Sequence, residues 1–132
     1  MRSRHLSTVI ERDPADVYAF AVIPENLPRW ASGLAQSEIT RDGDGLLADS
    51  PMGTVRFVFT PRNEYGVLDH DVTLPSGETV NNPLRVVAHP KGTEVVFTLR
   101  QLTPDDAAFE ADAGMVEADL RRLKEILEGA HR

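Results

Sequence analysis

The stretch TPDDAAFEADAGMVEADLRRLKEILEG, Thr103–Gly129, decides the fold. Thr103 stands where a helix N-cap belongs, Pro104 suits the first helical position, and Asp105 and Asp106 put negative charge at the positive end of the helix dipole. Arg121, Arg122 and Lys124 lie toward the opposite end, and Gly129 stops the run. Between these signals Phe109, Ala113, Val116, Leu120, Leu123 and Leu127 recur at alternating steps of four and three, which aligns them as one apolar stripe. The spacing predicts a helix about 37 Å long. A stripe of that length is stable only when another element covers it.

The remainder of the chain supplies the cover. From Leu34 to Gln101 apolar and polar residues alternate, and turn residues return every 8 to 12 positions, the pattern of an antiparallel meander. Six strands fit: Leu34–Arg41, Leu46–Ser50, Thr54–Thr60, Gly66–Leu74, Glu78–Ala88 and Thr93–Gln101, punctuated by "DGDG", "PMG", "PRNE", "PSG" and "HPKG". A strand "HLSTVIE" precedes them, closed where Asp13 can cap a short helix that opens on Pro14. Ile23 and Pro24 break that helix, and "PENLPRW" forms a second one ending at Trp30. The prediction is an α+β chain, one domain over residues 1–132, with a curved seven-stranded antiparallel sheet wrapped around the C-terminal helix and two short helices after the first strand.

Turn lengths propose a register. A four-residue loop at "PRNE" pairs Thr60 with Tyr65 and sets Phe57 against Leu68 and Val55 against His70. A three-residue loop at "PSG", with Gly77 left-handed, pairs Leu74 with Glu78 and so Val72 with Val80, His70 with Asn82, and Leu68 with Leu84. The "HPKG" loop sets Val86 against Val95 and Leu84 against Phe97. One face then gathers Val55, Phe57, Phe59, Leu68, Val72, Val80, Leu84, Val86, Val95, Phe97 and Leu99, with His70 and Asn82 as its polar neighbours. Arg56, Asp69, Asp71, Thr79, Arg85, Glu94 and Arg100 take the other face, and a slip of one residue would bury those charges. Asp69 and Asp71 flank His70 in "GVLDHDVTL", yet alternation points both away from it. Asn82 is therefore the expected partner of the imidazole, although Pro83 implies a local bulge in that strand.

This order of strand, two short helices, six antiparallel strands and long terminal helix resembles the helix-grip fold of the SRPBCC superfamily, which includes START domains, polyketide cyclases and birch-pollen-allergen-like proteins. The resemblance spans essentially the whole chain and is carried by "VIERDPADVYAFAVIPENLPRW" and "DAGMVEADLRRLKEIL". It implies a cavity between sheet and helix that takes apolar or amphipathic molecules. Proteins of this architecture include carriers, receptors, cyclases, dehydratases and chaperone activators, so the resemblance names a fold and no reaction.

Composition narrows the partners. Fourteen Lys and Arg against 21 Asp and Glu give a net charge of −7 in 132 residues, which repels phosphate backbones and anionic lipid headgroups. Nucleic acid is not expected, and neither is membrane insertion, since nowhere do about 18 apolar residues run together. The absence of cysteine excludes disulfides and thiolate chemistry and suits a reducing cytoplasm, the expected location. The opening "MRSRHLSTVIERD" has no apolar segment of a leader. "DGDG" is read as a turn, because Leu46 and Gly53 occupy positions where a calcium loop needs oxygen ligands. His5, His89 and His131 are scattered, so no metal is expected, and no motif calls for another cofactor. The three arginines of the outer face are read as part of a solvated mixed-charge surface.

The expected ligand site is the apolar face: Trp30, Val55, Phe57, Phe59, Leu68, Val72, Leu84 and Phe97, with His70 and Asn82 polar and with Phe109 and Met115 contributed by the last helix. Three functions fit. The first is a monomeric or homodimeric protein that binds a small apolar or amphipathic molecule by its polar end. The second, implied by the resemblance, is a cyclase or dehydratase in which His70 moves a proton. The third, similar to the chaperone activators, is an interaction protein whose cavity is filled by side chains. Beside each stands an ordinary alternative: a neutral core histidine satisfied by Asn82 or water, and aromatic residues that simply pack.

Overall fold

The computed structural model describes residues 1–31, 38–50 and 53–129. The chain runs through β1 (Ser3–Ile10), α1 (Pro14–Ala21), a 3-10 turn at Pro24–Asn26 that continues into α2 (Leu27–Trp30), β2 (Ile39–Asp42), β3 (Gly45–Ser50), β4 (Gly53–Phe59), β5 (His70–Thr73), β6 (Thr79–Asn82), β7 (Leu84–His89), β8 (Gly92–Arg100) and α3 (Asp106–Gly129). The helix-grip architecture of antiparallel sheet and long terminal helix is the one predicted, with eight strands among the described residues in place of seven. They form two antiparallel sheets, β1-β8-β7 and β2-β3-β4-β5-β6. The first four residues of the strand predicted from Leu34 lie outside the described residues.

Pro83 explains the extra strand. It has no N–H to give to a ladder, so the predicted strand Glu78–Ala88 divides there into β6, which pairs with β5, and β7, which pairs with β8. The following Leu84 N–H is satisfied instead by the Asp69 carboxylate at 2.9 Å. The two sheets are stitched together beside this break: Leu68 N–H donates to Leu84 O and Val86 N–H to Gly66 O, each at 2.8 Å.

The hairpin between β4 and β5 departs from the predicted one. Phe59 pairs with His70 and Phe57 with Val72, a displacement of four residues from the register in which Val55 faced His70. "PRNE" is part of a longer loop organised by Asn63, whose Oδ1 accepts from Tyr65 N–H (2.9 Å) and Val67 N–H (3.1 Å) and whose Nδ2 donates to Val67 O (2.9 Å). Because four is even, every side chain keeps its predicted face. The other two registers are as predicted, with His70 opposite Asn82, Val72 opposite Val80, Leu84 opposite Phe97 and Val86 opposite Val95.

Helix α3 packs on β1 and β8 and buries Phe109, Ala113, Leu120, Leu123 and Leu127 of the predicted stripe. Its cap is Asp105, not Thr103: the Asp105 carboxylate accepts from Ala108 N–H at 3.1 Å, and the helix begins one residue later. Asp13 precedes α1 as predicted but its side chain makes no capping bond. At the far end of α3, Lys124 Nζ donates to Val9 O (2.6 Å) and Arg12 donates to Leu127 O (2.8 Å), tying helix to edge strand. "DGDG" is a turn, and Asp42 and Asp44 clasp Arg56 at 3.0 and 2.9 Å. No helix among the described residues is long and apolar enough to cross a membrane.

Candidate functional site

His70 opens β5 and is one of two buried polar residues among the described ones, 9 % exposed. The cross-strand partner Phe59 lies against it at 4.7 Å between ring centroids, and Phe57 and Phe97 stand at 6.3 Å. Nδ1 is 3.0 Å from Leu68 O. A carbonyl only accepts, so the proton is assigned to Nδ1, and Nε2 of the neutral ring is left as an acceptor with no partner among the described residues. Burial pushes the imidazole pKa below its ordinary value, and this outweighs the opposing pull of the Leu68 carbonyl and of Asp69 and Asp71.

The flanking carboxylates do face away. Asp69 receives two bonds from the Arg85 guanidinium, at 2.6 and 2.8 Å, which hold its carboxyl below the usual carboxylate range. Asp71 accepts from Asn81 at 2.9 Å. The expected imidazole partner needs correction, however. Asn82 sits opposite His70 in the ladder, but it is the Leu68 carbonyl, two residues back on the same chain, that takes the ring proton. The tilt of the ring toward its own backbone is not visible in a register diagram.

Beside His70 lies a chamber of about 120 Å³ between the sheet, α2 and α3. Of the residues predicted to line a site, Trp30, Phe57, Phe59, His70, Leu84 and Phe97 form its wall. Val55 and Leu68 are core residues 3 % and 1 % exposed outside the wall, and Val72 and Asn82 are half-buried away from it. Phe109 is buried further along α3 beneath the guanidinium of Arg2, 4.8 Å from its ring centroid. Met115 is 51 % exposed, on the solvent side of α3, because it is one residue out of phase with Val116. Leu27, Ala31, Val116, Asp119 and Leu120 complete the wall. Val116 and Leu120 belong to the predicted stripe; Asp119 carried no signal, being one charged residue among several on the helix. Its carboxylate is 3.7 Å from Arg122. Trp30 Nε1 is buried and has no hydrogen-bond partner among the described residues.

A second, larger depression of about 720 Å³ lies between β1 and α3, lined by Arg4, His5, Ser7, Thr8, Glu117 and Arg121 among others. It is polar and open to solvent, whereas the chamber at His70 is less open and mostly apolar, the character of a small-molecule site. No group of three or more potential metal ligands occurs among the described residues.

The neutral state of His70 has a measurable consequence. With a folded-state pKa below the unfolded value near 6.5, the unfolded chain binds the proton first, so this stability is full above about pH 6.5 and is lost as pH falls below it. Asp69, whose pKa is lowered from an ordinary value near 3.8, contributes in a separate window below that value. Urea midpoints at about pH 7.5 and 5.5 are expected to differ more in the native protein than in His70→Leu; equal differences would mean the ring is not held neutral.

Comparison with known proteins agrees with this architecture. A family model described as polyketide cyclase / dehydrase and lipid transport matches residues 1–128. The fold is shared with protein XoxI of Bacillus cereus (TM-score 0.73, 14 % identity, covering 100 % of this chain and 99 % of that one). It is shared also with the Aha1 dimer of Colwellia psychrerythraea (0.75, 16 %, 97 % of each chain) and with Ara h 8.0201 (0.67, 11 %, 96 % and 97 %). No curated protein matches the chain.

Proposed function

Because the chain belongs to the polyketide cyclase, dehydrase and lipid-transport family within the SRPBCC superfamily, we propose that it is a binding protein for a small apolar or amphipathic molecule held between sheet and terminal helix. The observation that carries this reading is the chamber whose mostly apolar wall holds one imidazole nitrogen without a partner among the described residues. Its volume, about 120 Å³, is below the roughly 300–1,000 Å³ of drug-sized sites and near the roughly 150 Å³ of an engineered apolar cavity that takes up benzene. The occupant is thus about one ring in size.

Benzene is the direct probe. Titration followed by NMR is expected to give saturable shifts confined to residues around the chamber, and Val116→Phe, which fills it, is expected to weaken binding at least roughly tenfold. Absence of saturable binding, or binding indifferent to the filling substitution, would overturn the reading.

A second reading is catalytic. His70 and Asp119 share the chamber wall, so a base and a carboxyl face one space, as a cyclisation or dehydration requires. It predicts that turnover of a small polyketone falls on the acid side of the His70 pKa; full activity in His70→Leu excludes it.

A further inference from the structure

We propose that the outer edge of β1 takes up an extended peptide segment with acidic side chains, which joins the sheet as an added strand in the depression beside α3. Gln101 N–H donates to Arg2 O at 2.8 Å, so the even-numbered residues of β1 make the ladder to β8 and the N–H and C=O groups of the odd-numbered ones point outward. At the end of the strand these outward groups are occupied. Lys124 Nζ donates to Val9 O (2.6 Å), and Glu11 N–H donates to the Glu128 carboxylate (3.0 Å). Those of Ser3, His5 and Ser7 have no partner among the described residues, which leaves open a stretch of five residues, about 17 Å long. Nothing in the strand blunts this edge: it has no proline, and it pairs with β8 without a bulge from Ser3 to Ile10.

The depression of about 720 Å³ runs along the same groups. Every residue from Arg4 to Thr8 lines it. Because side chains alternate, five consecutive residues of a strand share one wall only through their backbone edge. Glu117, Arg121 and Lys124 of α3 form the facing wall. A sheet edge beside a helix is the geometry in which peptides bind as added strands. A second copy of the chain does not fit, because α3 accompanies β1 along its length, with Asp106 at Arg2, Lys124 at Val9 and Glu128 at Glu11. Two β1 strands paired edge to edge would stand about 4.8 Å apart, and the helices above them need about 8–10 Å. The charge of the partner follows from the wall. Arg4 is paired with Glu110 and Lys124 with Glu128, each at 2.6 Å, whereas Arg121 has no ion pair or hydrogen bond among the described residues. A carboxylate on the peptide face turned toward α3 supplies the missing partner.

The probe is a capped five-residue peptide of alternating valine and glutamate, with glutamates second and fourth so that both share one face when the other three residues make the rungs. Titrated into 15N-labelled protein, it is expected to give saturable shifts along β1 at millimolar concentration. The amides of His5 and Ser7 should gain protection from hydrogen exchange, while those of Leu6 and Thr8, already bonded to β8, keep theirs. Lysines in place of the glutamates, or a methyl group on the central peptide nitrogen, should each weaken binding at least roughly fivefold. In Arg121→Ala the glutamate and lysine peptides should bind within about twofold of each other. Equal binding of the two peptides by the native protein would overturn the acidic partner. Absence of saturable binding, shifts away from β1, or indifference to the methyl group would overturn the added strand. Protection of the same amides that rises with protein concentration alone would place a second copy on the edge and overturn the peptide as its occupant.

Discussion

Leu123→Ala is expected to lower the stability of the protein by about 3–5 kcal/mol. Leu123 is 1 % exposed, in the C-terminal half of the stripe by which α3 packs on the strands. Truncation loses the transfer free energy of the removed carbons and leaves a void that neighbours on a helix and a sheet cannot collapse to fill. Urea unfolding at unchanged m is the measurement. Met115→Ala on the same helix is the control, because its 51 % exposed side chain should change stability by no more than about 0.5 kcal/mol. A cost under about 1 kcal/mol for Leu123→Ala would mean that the terminal helix is not the centre of the core.

The second large effect is Gly66→Ala, expected to cost about 3 kcal/mol or more. Gly66 has φ +71°, a left-handed conformation that costs an alanine about 1–2 kcal/mol. A Cβ there also runs into the carbonyl oxygen of Val86. That oxygen belongs to β7, at the place where the two sheets are joined by the Gly66–Val86 and Leu68–Leu84 hydrogen bonds. Relief of the collision parts the strands, at about 1 kcal/mol per bond lost. Gly77 provides the contrast: its φ is +89°, but nothing lies within 4 Å of an added Cβ, so Gly77→Ala should cost only the conformational part. Hydrogen exchange at Leu68 and Val86 should accelerate in Gly66→Ala alone. Equal destabilisation by the two substitutions would show that the collision is absorbed without cost.

The junction at Gly66 also places the candidate site. Leu68, fixed against Leu84, presents the carbonyl that takes the His70 proton, and Asp69, fixed on Arg85 and Leu84 N–H, is turned away from the ring. His70 therefore owes its tautomer to a backbone segment that is not itself part of β5. Sequence reasoning put His70 on the apolar face and removed its acidic neighbours from consideration, since both conclusions follow from alternation along one strand. It chose the wrong partner, because the choice between Asn82 and Leu68 depends on a side-chain torsion rather than on facing direction.

What the sequence determined by itself is what repeats locally: the stripe of α3, the inner and outer faces of the strands, the break at Pro24, an irregularity at Pro83, and the α+β class. Each follows from a period of 3.6 or 2 or from a residue that cannot make a ladder bond. Tertiary structure alone decided the four-residue offset between β4 and β5, to which a pattern of period two is blind, and the division of one strand between two sheets. It also decided which apolar side chains meet tightly and which leave about 120 Å³ unfilled beside an imidazole, an indole and the Asp119 carboxylate. Volume is a difference between packed surfaces from distant parts of the chain, and no local pattern encodes it.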